Sequence, residues 1–135
     1  MSASLRFLVL LAGLAFVSGV AAIIVRHHQT THQAKVTAEQ LTGGDAAAGK
    51  AAILRYGCGA CHEIPGIPGA QGRVGPSLDG FALRAEIAGR LSNDPSRLMR
   101  WLRHPQQVSP GNGMPDQGIG ERDARNIAAY LYTEQ

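Results

Sequence analysis

The feature that most constrains this chain is the pentapeptide Cys58-Gly59-Ala60-Cys61-His62, which holds its only two cysteines. Cys-x-x-Cys-His is the spacing at which two thiols attach a haem covalently and the next residue ligates its iron. Both sulfurs must reach vinyl groups on one edge of the macrocycle, so the two must lie close together. The motif predicts one haem c, bound through thioether bonds to Cys58 and Cys61, with His62 as an iron ligand.

Two other interpretations of the cysteine pair are weaker. A thioredoxin-like redox pair lies in a βαβ pattern, and the sequence around Cys58 and Cys61 shows no such pattern. A zinc half-site needs a second Cys/His pair at zinc spacing, and none follows the motif.

Size and composition favour a small helical domain with a bound cofactor. At 135 residues the chain supports one small domain plus an appendage. Aromatic residues make up only 5%, and many apolar residues lie in an N-terminal block, so the folded part has a thin core of its own. A large apolar cofactor would supply the missing burial. No segment shows sustained strand alternation, which predicts an all-α fold.

The charge distribution gives no support for nucleic-acid binding. The formal net charge is +3, but from residue 45 onward ten Lys/Arg face nine Asp/Glu. A nucleic-acid-binding domain is normally clearly basic. This domain is nearly neutral, so we predict no nucleic-acid partner.

The N-terminal region predicts a membrane anchor. Residues 7–25 carry no charge and are flanked by Arg6 and Arg26. At about 1.5 Å per residue, such a helix spans roughly 28 Å, enough for the hydrocarbon core of a bilayer. A cleavable signal peptide with a small-residue site at 20–22 is the alternative, but the apolar run continues past that site. We predict a retained transmembrane signal-anchor at 1–26.

The next segment predicts a tether. Residues 27–44 are polar, show no helical pattern and end in Gly43-Gly44, which indicates a flexible linker before a domain at 45–135. Proteins with this motif receive their haem on the outer side of the inner membrane. We therefore expect a single-pass protein of the bacterial inner membrane, with the haem domain facing the periplasm.

Helix signals divide the domain into four segments. Asp45 is a candidate N-cap for a helix at 46–56 that ends at Gly57. A weak helix is expected at 83–91. Asp94, before a proline, predicts the start of a helix at 96–104. An amphipathic helix is expected at 121–132, after a Gly/Pro-rich loop.

That loop supplies a second candidate iron ligand. Met114 lies within Gly113-Met114-Pro115 and belongs to no helical stripe, so a role as core filler is weak. A thioether sulfur is a soft ligand that an irregular loop could bring opposite His62. Met99 is the rival, although a core position on its helix explains it more simply.

The order of these elements resembles the class I cytochrome c family, in its membrane-anchored monohaem form. The resemblance covers about 90 residues, and its signature is helix, Cys-x-x-Cys-His, Gly-Pro-x-Leu, helix, methionine loop and final helix. It implies the cytochrome c fold, with His62 as proximal and Met114 as distal ligand. It also implies four supporting residues around the haem, namely Pro76 accepting a bond from the proximal imidazole, Arg84 near a propionate, and Trp101 and Leu102 lining the ring. Gly49 and Tyr130 match the positions where the family's first and last helices cross.

The predicted function is the transfer of single electrons between respiratory-chain partners. With both axial positions filled, the iron would not readily bind oxygen or peroxide, so the protein is expected to carry electrons without catalysing a reaction. The partners would be redox proteins, in particular a membrane-bound oxidase or dehydrogenase, of which the chain could be a subunit. An arginine stripe at 97, 100 and 103 indicates either a solvated helix face or a docking surface for an acidic partner.

The alternative function is a haem enzyme or sensor, peroxidase-like, with an open or displaceable sixth ligand. His104 could ligate iron in a bis-histidine variant, although its place before Pro105 at a helix end favours the surface.

Overall fold

The computed structural model describes residues 2–135, and Met1, the first residue of the predicted anchor, lies outside the described residues. The chain divides into two compact units, Met1–Gln33 and Ala34–Gln135. The described residues of the first unit are exposed, and almost all belong to helix α1, Ala3–Thr42. By length and composition, α1 is the one helix of the described chain that could cross a membrane, a test that an N-terminal signal sequence also passes.

Helix α1 extends further than the sequence indicated. Flexible chain was predicted at 27–44, whereas the structure is helical to Thr42. Residues 34–41 include several strong helix formers, among them alanine, lysine, glutamate and leucine, and these sustain the helix without an obvious apolar stripe. Gly43 then takes a left-handed conformation, with φ of 66°, and ends it.

The last turns of α1 belong to the second unit. Ala38 and Thr42 are buried, and a Glu39 carboxylate oxygen accepts a hydrogen bond from the Ala46 backbone N–H at 3.0 Å. A Cβ added at Gly44 would overlap the backbone of Arg125. Residues 34–44, the second part of the predicted linker, therefore belong to the second unit.

The second unit holds the remaining elements. After the end of α1 come four helices, two short 3₁₀ turns and a small hairpin: α2 Ala46–Arg55, turn Cys58–Ala60, turn Phe81–Leu83, β1 Glu86–Ile87, β2 Leu91–Ser92, α3 Pro95–Arg103, α4 Pro105–Val108 and α5 Glu121–Leu131. This mostly helical architecture confirms the all-α prediction.

The predicted caps are present. The Asp45 carboxylate accepts from the Ala48 N–H at 2.9 Å, and the Asp94 carboxylate accepts from the Arg97 N–H at 3.0 Å. Each bond satisfies one of the free N–H groups of a helix's first turn. Gly57, with φ of 68°, follows α2 as expected.

The helix predicted at 83–91 is wrong. The segment begins in a 3₁₀ turn and continues as the antiparallel pair β1–β2, in which Ile87 faces Leu91. Ala88 and Gly89 both have positive φ, 52° and 63°, which reverses the chain between the strands. Two consecutive residues with positive φ are incompatible with a right-handed helix. The long loop predicted after residue 105 also begins with the short helix α4.

The crossing of α2 and α5 organises the unit. A Cβ added at Gly49 would overlap the Asn126 carbonyl and lie 3.0 Å from the Tyr130 Cβ, so only glycine permits this approach. The contact confirms the predicted crossing at Gly49 and Tyr130. Around it lies one apolar cluster that includes Ile53, Leu98 and Ile127, all fully buried.

Candidate haem site

The cysteine motif forms a tight turn directly after α2. The Cys61 and His62 N–H groups both donate to the Cys58 carbonyl, at 3.2 and 3.0 Å. Gly57 lies between the end of α2 and this turn. Its left-handed conformation allows the sharp change of direction there. The turn therefore fixes both thiols and the imidazole on one short backbone segment.

The loop segment at residues 70–75 packs against this turn. The Gly72 N–H donates to the Gly59 carbonyl at 3.1 Å, and the Gly75 N–H donates to the Cys61 carbonyl at 2.9 Å. A Cβ added at Gly59 would lie 2.7 Å from the Ala70 Cβ. Residues 58–62 and 70–75 are therefore packed directly against each other and joined by backbone hydrogen bonds.

The orientation of the His62 ring is set by Pro76. The imidazole Nδ1 lies 2.7 Å from the Pro76 carbonyl oxygen. A carbonyl only accepts, so Nδ1 is the donor of this bond, and in the neutral imidazole Nε2 is then the nitrogen with a free lone pair. A histidine held in this way can ligate a metal through Nε2, as orienting partners of metal-bound histidines do elsewhere. The contact has the form that the family resemblance implied for Pro76.

Gly75 is a site residue that sequence reasoning did not single out. A Cβ at this position would lie 2.7 Å from Nδ1 and 2.9 Å from Nε2 of His62, closer than real Cβ contacts allow. The absence of a side chain lets the loop pass against the imidazole. The Gly-Pro pair at 75–76 was the only signal in the sequence.

The cysteines do not have the character of a redox pair. Burial is the largest cause that raises the pKa of the Cys58 thiol. Reactive Cys-x-x-Cys pairs depend instead on a thiol whose pKa is lowered. Within residues 2–135, the structure shows no group of three or more His, Cys, Asp or Glu side chains that could hold a metal ion.

Arg84 supports the loop that carries Pro76. Its guanidinium donates to the carbonyl oxygens of Ser77 and Asp79, the latter at 2.8 Å, and lies over the Phe81 ring. These bonds tie the loop after Pro76 to the 3₁₀ turn at Phe81–Leu83. The contacts of Arg84 within the chain are therefore to backbone oxygens, and its predicted role at a propionate stays a prediction.

The remaining predicted residues meet on the apolar cluster. Leu102 is a buried member, and Cys58, Trp101 and Met114 are half-buried and pack against it. Among the described residues, no hydrogen bond joins His62 to Met114. Cys58, Trp101 and Met114 are thus brought to one cluster. His62 is bonded to Pro76, and Arg84 is bonded to the loop that follows Pro76.

This set of side chains fits haem c. Two thiols at Cys-x-x-Cys spacing suit two thioether bonds, and an imidazole with a free Nε2 together with a thioether sulfur is a ligand pair that haem iron takes. Cys58, Cys61, His62, Trp101 and Met114 are all half-buried, so none of them is sealed inside the apolar core.

The arginine stripe is less uniform than its spacing indicated. Arg97 pairs with Asp94 at 2.8 Å, and Arg103 is half-buried, with an Nε that is buried and unpartnered among the described residues. Arg100 is exposed. His104 lies half-buried between α3 and α4.

Comparison with known proteins gives a consistent family. The family model described as Cytochrome c matches residues 46–134. Cytochrome c2 of Rhodoblastus acidophilus is 37% identical over 101 residues, covering 65% of this chain and 91% of that protein. Cytochrome c2 iso-2 of Magnetospirillum molischianum is 30% identical over 86 residues, covering 56% and 89%.

A third relative is much longer. Cytochrome c oxidase subunit 2 of Bacillus sp. (strain PS3) is 40% identical over 65 residues. The match covers 47% of this chain but only 18% of the oxidase subunit. No solved structure matches the chain significantly.

Proposed function

Because the chain belongs to the cytochrome c family, we propose that it is a membrane-anchored monohaem carrier of single electrons in a respiratory chain. Membership of the family brings a covalently bound haem c and electron transfer to redox partners. When bound, haem c supplies an Fe(III)/Fe(II) couple that accepts one electron from a donor and passes it to an acceptor. The assignment of residues, membrane and partners is the proposal.

The observation that carries the proposal is the bond between His62 and Pro76. Cys58 and Cys61 would attach the cofactor, and His62, kept in its Nδ1-protonated form at 2.7 Å from the Pro76 carbonyl, would offer Nε2 to the iron. Gly75, which has no side chain, leaves room for the imidazole in this orientation. These residues orient a ligand, and no acid–base chemistry is required of them.

Met114 is the proposed second ligand. It is half-buried, lies in an irregular loop and packs against the same cluster as Cys58 and Trp101. A methionine ligand favours the reduced iron and raises the reduction potential. Trp101 and Leu102 would keep water from the site because both lie on the cluster.

Replacement of Met114 tests this ligand set. We expect Met114→Ala to keep its haem, to have a lower reduction potential and to bind cyanide when ferric, because the sulfur ligand is gone. Met99→Ala is the matched control, since Met99 is also half-buried against the cluster but lies on α3. A wild-type ferric protein that already binds cyanide readily would contradict the carrier and favour the enzyme or sensor.

We place the protein in the inner membrane, with residues 1–26 as a retained anchor and the domain in the periplasm. Uncharged, exposed residues at 7–25 support this proposal. The full-length protein should stay with membranes after washes in high salt and in alkaline carbonate, and detergent should release it. Protease added to spheroplasts should digest the domain. A soluble periplasmic form lacking the first residues would show a cleaved signal peptide instead.

The proposed partner is a membrane-bound oxidase or dehydrogenase. The similarity to an oxidase subunit 2 supports this class, although it covers a small part of that protein. Anchoring both proteins in one membrane raises their local concentration. Co-purification in mild detergent with an oxidase or dehydrogenase would indicate a bound subunit, and a haem protein that purifies alone would indicate a shuttle.

A further inference from the structure

The loop that carries Met114 is held by two amide side chains rather than by secondary structure. The Gln106 Nε2 donates to the carbonyl oxygens of Met114 and Asn112, at 2.7 and 2.9 Å. The Gln106 Oε1 accepts from the Gly111 N–H at 3.1 Å. One glutamine thus uses both ends of its amide to bind three residues of the loop.

Asn112 completes the arrangement from within the loop. Its Oδ1 accepts from the Met114 N–H at 2.7 Å, and its Nδ2 donates to the carbonyls of Pro105 and Ser109, at 2.9 and 2.6 Å. Gln106 and Asn112 therefore bond both the N–H and the C=O of Met114. Among the described residues of the loop, only Met114 has both its backbone N–H and its C=O bonded by side chains.

The base of this arrangement is fixed. Helix α4 carries Gln106, and its first residue, Pro105, is among the most buried side chains of the chain. Ser109, which follows α4, is also buried. The hydrogen bonds consequently connect Met114 to a buried part of the domain. They offset part of the conformational entropy that is lost when an irregular loop is ordered.

We propose that Gln106 and Asn112 are positioning residues that keep the Met114 thioether on the iron. This inference rests on the proposed function, in which Met114 is the second ligand. A backbone fixed on both sides of Met114 limits where its side chain can reach, so a competing ligand must displace a sulfur that stays close by. Loss of either amide should let the Met114 sulfur move further from the iron and so make it easier to displace.

The test measures imidazole binding to the ferric holo-protein. Gln106→Ala and Asn112→Ala should each raise the apparent affinity for imidazole by about tenfold, because each removes hydrogen bonds that favour the methionine-bound state. The near-infrared band of methionine-ligated ferric haem should weaken in the same variants. Gln107→Ala, an exposed neighbour on α4, is the matched control and should behave as wild type.

General destabilisation is separated by a variant at a distance. Asp45→Ala removes the N-cap bond of α2 and should lower the free energy of unfolding without changing imidazole affinity. If Asn112→Ala gives no holo-protein, Asn112→Asp keeps an acceptor for the Met114 N–H, while its second carboxylate oxygen replaces both Nδ2 bonds with repulsion from the Pro105 and Ser109 carbonyls and so loosens the loop. Imidazole affinities of Gln106→Ala and Asn112→Asp no higher than that of Gln107→Ala would overturn the proposal.

A double variant separates this proposal from the proposed function. In a Met114→Ala background, Asn112→Ala should add nothing to imidazole affinity, since the asparagine acts through the methionine. An additive effect would contradict positioning. If Met114→Ala alone leaves imidazole affinity unchanged, Met114 is not the ligand and the proposed ligand set fails. If it raises the affinity while the amide variants do not, only the positioning role fails.

Discussion

At the scale of single residues, the site depends on a carbonyl oxygen and a missing side chain. The Pro76 oxygen fixes the proton on Nδ1 of His62, and Gly75 leaves room for the ring beside the backbone. Both constraints act on the His62 imidazole, and they come from residues that follow it by 13 and 14 positions in the sequence. His62, the proposed ligand, is therefore oriented by contacts within the chain alone.

Gly75→Ala should disturb this arrangement. The new Cβ would lie within 3 Å of both imidazole nitrogens, and a ring held by Pro76 cannot move aside cheaply. We expect the holo-protein to lose about 1–3 kcal/mol in free energy of unfolding, the usual cost of overpacking. Guanidinium chloride unfolding followed by haem absorbance measures the loss.

Gly120→Ala is the control for this prediction. A Cβ at Gly120 meets nothing within 4 Å, and this residue has ordinary φ of −70°. Equal unfolding midpoints for the two variants would show that the close approach of Gly75 to His62 has no energetic weight.

The sequence supplied the candidate site residues and, through the family resemblance, Pro76 as the partner of His62, but not the two amides that hold the Met114 loop. Cys58, Cys61 and His62 follow from their spacing, because covalent haem attachment demands it. Gln106 and Asn112 have no such signature, since their partners are carbonyls whose positions only the folded loop defines. An asparagine two residues before Met114 is a weak local signal for a side-chain turn.

At the scale of elements, local sequence signals predicted the helices that begin at a capping residue. They did not predict the structure of the segments at 83–91 and 34–42. Asp45 and Asp94 cap their helices as predicted, because a carboxylate and a following N–H are enough. The region 83–91 became a hairpin, because positive φ at Ala88 and Gly89 reverses the chain. The helix at 34–42 lacked a visible apolar stripe because it buries only small or short side chains such as Ala38 and Thr42.

Ala38→Leu tests whether the end of α1 is part of the domain. Ala38 is 1% exposed, so a larger side chain should overpack the contact and cost about 1–3 kcal/mol of unfolding free energy. Leucine is also a good helix former, so a free helix or a flexible tether would tolerate it. Thermal unfolding of the full-length protein in detergent would measure the difference.

Thr37→Leu is the control, because Thr37 is exposed on the same turn. It should leave the unfolding transition nearly unchanged. Two variants with the same stability as wild type would indicate that residues 34–42 do not pack on the domain in solution.

At the scale of the whole domain, two tyrosines join distant loops, Tyr130 on α5 and Tyr132 directly after it. The Tyr130 hydroxyl donates to the Pro65 carbonyl at 2.6 Å, in the loop after the cysteine motif. The Tyr132 hydroxyl donates to the Asn93 side-chain oxygen at 2.8 Å. Asn93 in turn donates to the carbonyls of Phe81 and Arg84. The C-terminal segment thus connects the loop after the cysteine motif with the segment that contains Phe81, Arg84 and Asn93.

These tyrosines predict how stability changes at high pH. Burial is the largest cause that raises the pKa of Tyr130 and of Tyr132 to about 12, from an ordinary 10. Because the folded pKa lies above the unfolded one, the stabilisation is complete below pH 10 and is lost as pH rises through about 12. The slope should be at most about 1 kcal/mol per pH unit for each tyrosine, after allowance for partial exposure.

Urea unfolding at pH values from 10 to about 12, followed by circular dichroism, measures this loss. Tyr130→Phe and Tyr132→Phe should each be less stable than wild type at neutral pH, because each loses one hydrogen bond. Each should also show a shallower decline in that pH range, since it has one fewer group to ionise. A decline as steep in the double phenylalanine variant as in wild type would mean that other groups control alkaline stability, and that the C-terminal segment does not hold the two loops through these hydroxyls.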